Sequence, residues 1–214
     1  MKITDACVIP YPAGDSSVRR MALEARSLGF DSIVAADTPA AQVYGVDVIP
    51  GIFLSGLPAK DVQNRARKNR ETGCVLSVRM GDNGFNRAVG GTRGVHILRG
   101  IAAADKRAFD HVAAKIAADN VTAIDIDLSP LLFGRGHSRQ KAIHRYLDLM
   151  VLYRRFGFPL TISSSARSVL ALRSVREVAG LCSLFGMDET DIQAALGGVE
   201  RITATCSEDV VRVV

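Results

Sequence analysis

"TAIDIDLSPLLFGRGHSRQKAIHRYLDLMVLYRRFGFPLTISS", residues 122–164, holds a strand, a helix and a second strand in series. The run 122–128 is short, apolar and rich in β-branched residues, with Asp125 and Asp127 two apart on one strand face. From 137 to 156 the period becomes helical: Ile143, Leu147 and Met150 form a core stripe, joined by Tyr146 and Tyr153, while Arg139, Lys141 and Arg145 fall elsewhere. Gly157 stands just past that helix, where a left-handed C-cap is wanted, and 159–164 begins the next strand.

The unit repeats in both directions. Further β-rich runs lie at 2–8, 32–36, 46–53, 75–79, 95–98 and 201–205, bringing the total to eight. Helix-like stretches lie at 15–28, 58–72, 105–119, 173–186 and 188–196, and Gly29, Gly73 and Gly186 punctuate them as Gly157 does. Eight β units, most followed by a helix, predict an α/β chain forming one (β/α)8 TIM-barrel-like domain over 1–214. The chain is near the short end for that fold, so some helices must be short or missing. "DTPAAQVYG" (37–45) has room for about two helical turns, and "MGDNGFNRAVGGTRG" (80–94) is a glycine-rich connection. A doubly wound open sheet would need a G-x-G-x-x-G turn after an early strand; "GDNGFNRAVGG" lacks that spacing and follows the wrong strand.

Composition narrows the function classes. With 214 residues, 48% hydrophobic and 23% charged, the chain can bury a full core, which excludes a disordered tail protein. There is no long uninterrupted apolar run, and "MKITDACVIPYPAGD" places Asp5 and two prolines where a signal peptide needs apolar residues, so a soluble cytoplasmic protein with no membrane partner is expected. Cysteines 7, 74, 182 and 206 have no C-x-x-C spacing and read as buried small hydrophobes. The net charge of +5 conceals segregation. Residues 65–107 carry ten Lys/Arg against three acids and 135–176 carry nine against one, so these segments hold +7 and +8 and the remainder −10. Clustered positive charge favours phosphate-bearing partners.

In a barrel, chemistry gathers where strands end at their C-terminal side. Those positions hold Cys7 to Tyr11, Asp37, Arg79 to Asp82, Arg99, Asp127 to Ser129 and Ser163 to Ser165. A metal-dependent hydrolase on this scaffold would present H-x-H after the first strand; this chain presents "CVIPYP". His96, His111, His137 and His144 do not repair the deficit, since His137 and His144 are seven apart rather than four. Asp125 and Asp127 suit an acid/base pair, or alternatively Asp127 satisfies backbone N–H groups in the turn that follows. The hydroxyls of "SSSARS" (163–168) could cap a helix, bind phosphate with the local amides or include a nucleophile, although no G-x-S-x-G elbow is present.

Taken with its surroundings, the opening stretch resembles the protein component 3 family of ribonuclease P. The match is carried by Asp125, Leu128 with Ser129, Arg139, Ser163 to Ala166, Leu172 with Arg173, and Gly186; "EARSLGFDSIVAA" (24–36) fits the family's first helix and second strand. Two positions depart from it: the family commonly has Glu at Asp125 and Asp at His96. The resemblance implies a barrel related to the polymerase-and-histidinol-phosphatase (PHP) type but lacking its metal ligands. It implies a non-catalytic subunit of ribonuclease P, an endoribonuclease whose RNA, with Mg²⁺ bound to that RNA, removes 5′ leaders from precursor tRNA. This chain would hold no cofactor and no catalytic residue. Its partners would be the ribonuclease P RNA, protein component 2 and the other protein subunits, with precursor tRNA met indirectly. The competing class is a barrel hydrolase of phosphate or amide esters.

From the charge layout and strand ends, the expected RNA contacts are Arg79, Arg87, Arg93, Arg135, His137, Arg139, Arg167, Arg173 and Arg176. With aromatic content at 6% and no Trp, recognition of folded RNA shape is favoured over extensive base stacking. For component 2 the expected surface is helix 173–186, where Val175, Val178, Leu181, Cys182 and Leu184 exceed one inward stripe.

Overall fold

A computed structural model describes residues 1–70 and 72–208. The strands, in chain order, are β1 (Thr4–Val8), β2 (Ser32–Ala36), β3 (Ala41–Val43), β4 (Val46–Leu54), β5 (Val75–Arg79), β6 (Ile97–Arg99), β7 (Ala123–Asp127) and β8 (Leu160–Ser163). Seven of them pair in parallel around a barrel in the order β1-β2-β4-β5-β6-β7-β8. The last meets the first through an isolated bridge between Val8 and Ala166, where the Ile9 N–H donates to the Ala166 carbonyl at 2.7 Å. The TIM-barrel-like α/β class expected from the sequence is therefore present, on seven parallel strands rather than eight.

Helices α1 (Val18–Ser27), α2 (Ala59–Asn69), α3 (Asn83–Gly90) and α4 (His111–Asp119) alternate with the strands, and α5 (Ser129–Phe133) and α6 (His137–Phe156) together span the step from β7 to β8. After β8 come a 3-10 turn (Val169–Ala171), α7 (Val175–Ser183), α8 (Glu189–Leu196) and α9 (Gly198–Glu208). Side chains start several of these helices: Ser17, Asp82, Asp110, Ser174 and Asp188 each accept a first-turn N–H, and the last two form reciprocal boxes with Glu177 and Asp191. Gly29, Gly73, Gly157 and Gly186 all take positive φ, as their places past helix ends require.

The run 201–205, expected to be the eighth strand, lies inside α9. Its "RITAT" has β-type residues, but Val199 and Ile202, three apart on one helix face, enter the N-terminal end of the barrel beside Ala6, Val34, Val75, Ile97 and Ala123. Tertiary packing overrides local propensity here. Gly198 permits the approach, because a Cβ at that position would stand 2.1 Å from the Leu160 carbonyl oxygen. Meanwhile α8 packs on β8 and β1, where the barrel closes.

Two connections and one helix face also differ from expectation. Residues 37–45 form no helical turns: β3 folds back antiparallel on β4 through Tyr44 and Gly45, both at positive φ, the signature of a tight hairpin. The glycine-rich connection at 80–94 contains α3, started by Asp82. On α6 the buried stripe is Ala142, Tyr146, Leu149 and Met150, which leaves Leu147 exposed. Among the described residues no helix is long and apolar enough to cross a membrane.

Candidate functional site

Barrel interiors are normally filled by layers of bulky aliphatic side chains. Here that holds only at the N-terminal end, where α9 completes the apolar layer. Above it, inward positions two residues apart along β5, β6, β7 and β8 bring in Ser77, Arg99, Asp125, Thr161 and Ser163. Arg99 ties Asp125 and Ser163 to the loop after β8. Its Nε donates to Asp125 Oδ2 at 2.9 Å, one terminal nitrogen donates to Ser163 Oγ at 3.0 Å and Ser165 Oγ at 2.7 Å, and its guanidinium lies 5.0 Å from the Phe53 ring centre. Asp125 also accepts from Thr161 and Ser163, at 3.0 and 2.7 Å. Burial pushes the Asp125 carboxyl up, and Arg99 and the hydroxyls oppose that shift. Burial likewise works against charge on Arg99, yet the neighbouring acids Asp125 and Asp127 leave its pKa raised. The result is a paired, hydrogen-bonded buried ion pair.

The other polar groups of the mouth are committed to architecture. Asp127 accepts the Ser129 N–H at 2.9 Å, and the Tyr146 hydroxyl donates to the Asp127 carbonyl, so Asp127 organises the turn into α5. Asp5 accepts the N–H groups of Cys7 and Ser164 at 3.1 and 3.0 Å, bridging β1 to the end of β8; burial raises its pKa to about 6. Burial also takes the Cys7 thiol up to about 12, which makes it a poor nucleophile. Toward the opposite end of the barrel, His96 Nδ1 accepts the Leu76 N–H at 3.0 Å, and burial lowers its pKa, so it packs as a neutral ring between β5 and β6. The β1–α1 loop is laced to the strand-eight loop by Asp15 N–H to the Arg167 carbonyl at 2.8 Å and by an Arg167 terminal nitrogen to the Ala13 carbonyl at 2.9 Å. Among the described residues no group of three His, Cys, Asp or Glu side chains is placed to hold a metal ion.

Above Arg99 the mouth opens into a cavity of about 820 Å³. The nine sequence-predicted contacts distribute unevenly around it. Arg79 and Arg167 line the cavity with Arg99. Arg135 is exposed on the adjoining loop and Arg139 in the first turn of α6, where its Nε donates to the Gly134 carbonyl at 2.9 Å. His137 lies in a neighbouring groove with Lys106, Lys141, His144 and Arg145. The other four are placed differently. Arg87 is ion-paired with Asp110, and Arg173 donates to the carbonyls of Leu170 and Leu172. Arg93 precedes β6, and Arg176 follows Val175, whose N–H bonds Leu28 where α1 leads into β2; both therefore sit at the end of the barrel opposite the mouth. Arg99, the centre of the network, was absent from the nine, although an Arg ending an apolar strand beside a strand ending in Asp-x-Asp was the available signal.

Comparison with known proteins places this geometry. The family described as RNase P subunit p30 matches residues 2–208. Ribonuclease P protein component 3 of Methanococcoides burtonii is 29% identical over 199 residues, covering 90% of this chain and 83% of that protein. The component 3 of Methanosarcina acetivorans is 31% identical over 213 residues, covering 95% and 89%. In fold, the chain resembles one in the cryo-EM structure of archaeal ribonuclease P with mature tRNA, with a TM-score of 0.78 at 16% identity, covering 97% of this chain and 94% of that one. A seven-stranded barrel with an arginine-plugged interior and basic mouth loops, matched over nearly its whole length, therefore belongs to the RNase P subunit p30 family.

Proposed function

We propose that this chain works in the cytoplasm as a non-catalytic subunit of ribonuclease P, supporting the catalytic RNA in removing 5′ leaders from precursor tRNA. One observation carries the reading: beside the mouth, exposed Arg135, His137 and Arg139 continue into a groove lined by Lys106, Lys141, His144 and Arg145, with Asp148 its one acid. Such a surface offers separate cations to successive phosphates of a folded RNA. The hydrolytic step, with its Mg²⁺, is assigned to the RNA. That assignment is supported by a mouth whose acids are spent on Arg99 and backbone amides and whose thiol is held protonated.

Arg79 and Arg167 serve RNA from the mouth, whereas Arg87 and Arg173 are engaged within the protein and Arg93 and Arg176 sit at the opposite end, so these four contribute little to RNA binding. Protein component 2 and the other protein subunits are its proposed protein partners, with precursor tRNA met through the assembled particle. The apolar basis for a partner surface changes, however. On α7, Val178 and Cys182 are buried and Val175 and Leu181 pack on the core, leaving Leu184 exposed, whereas α6 exposes Leu147 and, at 69%, Val151. Leu147 lines the basic groove and Val151 lies one turn further along α6, so a protein seated there would adjoin the RNA surface.

Binding of ribonuclease P RNA as a function of salt tests the reading. Arg135→Ala with Arg139→Ala should weaken binding and flatten the log K against log salt slope by about 2. An unchanged slope assigns the RNA surface elsewhere. Cleavage of precursor tRNA by the RNA-free protein would contradict the non-catalytic role.

A further inference from the structure

The Arg99 network explains why the barrel interior is polar, but not why a roomy cavity stands open above it. About 820 Å³ lies within the range of small-ligand sites. Its walls are chemically divided. One part is cationic and hydroxylic: Arg79, Arg99, Arg167, Ser77 and Ser165. The other is apolar, and its rim is formed by Phe133, 62% exposed, and Leu170, 84% exposed. Large apolar side chains held this far into solvent at the lip of a basic cavity are costly unless something lies on them.

Two further details point to an occupant. Ser77 is 1% exposed and its hydroxyl has no hydrogen-bond partner, although it lines the cavity floor. A buried unpaired hydroxyl costs on the order of 1–3 kcal/mol, which a ligand atom would relieve. Ser165, whose hydroxyl takes a bond from Arg99, sits at φ +50°, in the left-handed region a non-glycine residue seldom occupies. That conformation holds it between the network and the cavity.

We propose that the barrel mouth is a pocket for a single unstacked nucleotide. Its phosphate is held by Arg79 and Arg167, a polar edge is met by Ser77, and its base lies against Phe133 and Leu170. Arginine matches phosphate oxygens with a planar fork, and an exposed ring at the lip offers a stacking face to any base. Asp127, the one acid of the lining, is occupied by the Ser129 amide and does not obstruct the phosphate. In the assembled particle the nucleotide is supplied by an RNA strand, and to that extent the inference rests on the proposed function; a free mononucleotide presents the same chemistry.

Titration of the full chain with AMP, UMP, adenosine and inorganic phosphate, followed by calorimetry or NMR, tests the pocket. Both monophosphates should bind at least about 10-fold more tightly than adenosine or phosphate, because each of those lacks half of the recognised group. Phe133→Ala and Arg79→Ala should each weaken AMP about 10-fold, and Lys115→Ala, an exposed cation on α4, should leave it unchanged. Ser77→Ala separates binding from folding: its hydroxyl bonds nothing in the free protein, so affinity should fall several-fold while the thermal midpoint does not. AMP binding no tighter than phosphate binding, or binding indifferent to Phe133 and Arg79, overturns the pocket. Should the nucleotide fail while the Arg135→Ala, Arg139→Ala pair still loses RNA, the RNA surface stands without the pocket. Once AMP binding is established, a 4-thiouridine crosslink from ribonuclease P RNA to the 129–133 helix that forms without AMP and is lost when AMP is added identifies RNA as the source, and its absence in AMP-free samples identifies a free nucleotide.

Discussion

Arg99 shows how one side chain can replace a hydrophobic layer. Arg99→Met should destabilise the fold by about 3–5 kcal/mol in urea unfolding, since it strands the Asp125 carboxylate in the interior. Adding Asp125→Leu should recover much of the loss, which would assign the penalty to the unpaired charge rather than to lost volume. Asp5 yields a pH signature. Its folded pKa of about 6 stands above the ordinary carboxylate value, so the native state binds that proton more tightly than the unfolded chain. The corresponding stability is complete below about pH 4 and is lost as pH rises through 6, to a limit of about 3 kcal/mol. Asp5→Asn keeps an acceptor for the Cys7 and Ser164 amides, so it should exceed the parent in stability at pH 8 by up to that amount and match it near pH 4. Legibility at this scale was partial. The turn role of Asp127 could be read from Asp-Leu-Ser-Pro, a local pattern, whereas the pairing of Arg99 with Asp125, Ser163 and Ser165 joins residues up to 66 apart and depends on barrel register.

The elements divide along the same line. Strand–helix alternation and glycine C-caps are local and were visible; closure is not local. Two devices close this barrel. At the mouth, Gly14 lies where a Cβ would stand 2.0 Å from the Ile9 carbonyl oxygen and 2.5 Å from that of Arg167. Gly14→Ala must therefore part the β1 and β8 loops, and a loss of about 1–3 kcal/mol is expected in thermal or urea unfolding. At the other end, Ile202→Ala should cost about 2–5 kcal/mol in the same unfolding experiment, as for an aliphatic core residue. The differences at 201–205 and 37–45 have separate causes: a plug helix can use the same short β-type run as a strand, and a connection long enough for two helical turns is equally long enough for a hairpin arm, so only neighbours in space separate them.

At the scale of the whole molecule, charge segregation was the most direct guide to function and the least exact guide to position. The two basic segments were evident from counting, but the fold sends parts of them to opposite ends, with Arg135 and Arg139 near the mouth and Arg93 and Arg176 away from it. Substituting Arg93 and Arg176 together should leave the salt dependence of RNA binding nearly intact, in contrast to the Arg135, Arg139 pair, when both are measured over the same salt series. The α9 plug carries a further consequence, for the order of events on the ribosome. The first strand can find its neighbour early, but the seam awaits Ala166 and the barrel floor awaits Val199 and Ile202, so almost the whole chain must emerge before the interior is sealed. Until then the nascent barrel is an open trough with two wet ends, and the C-terminal helix acts as the stopper that decides when this subunit is ready to meet its RNA.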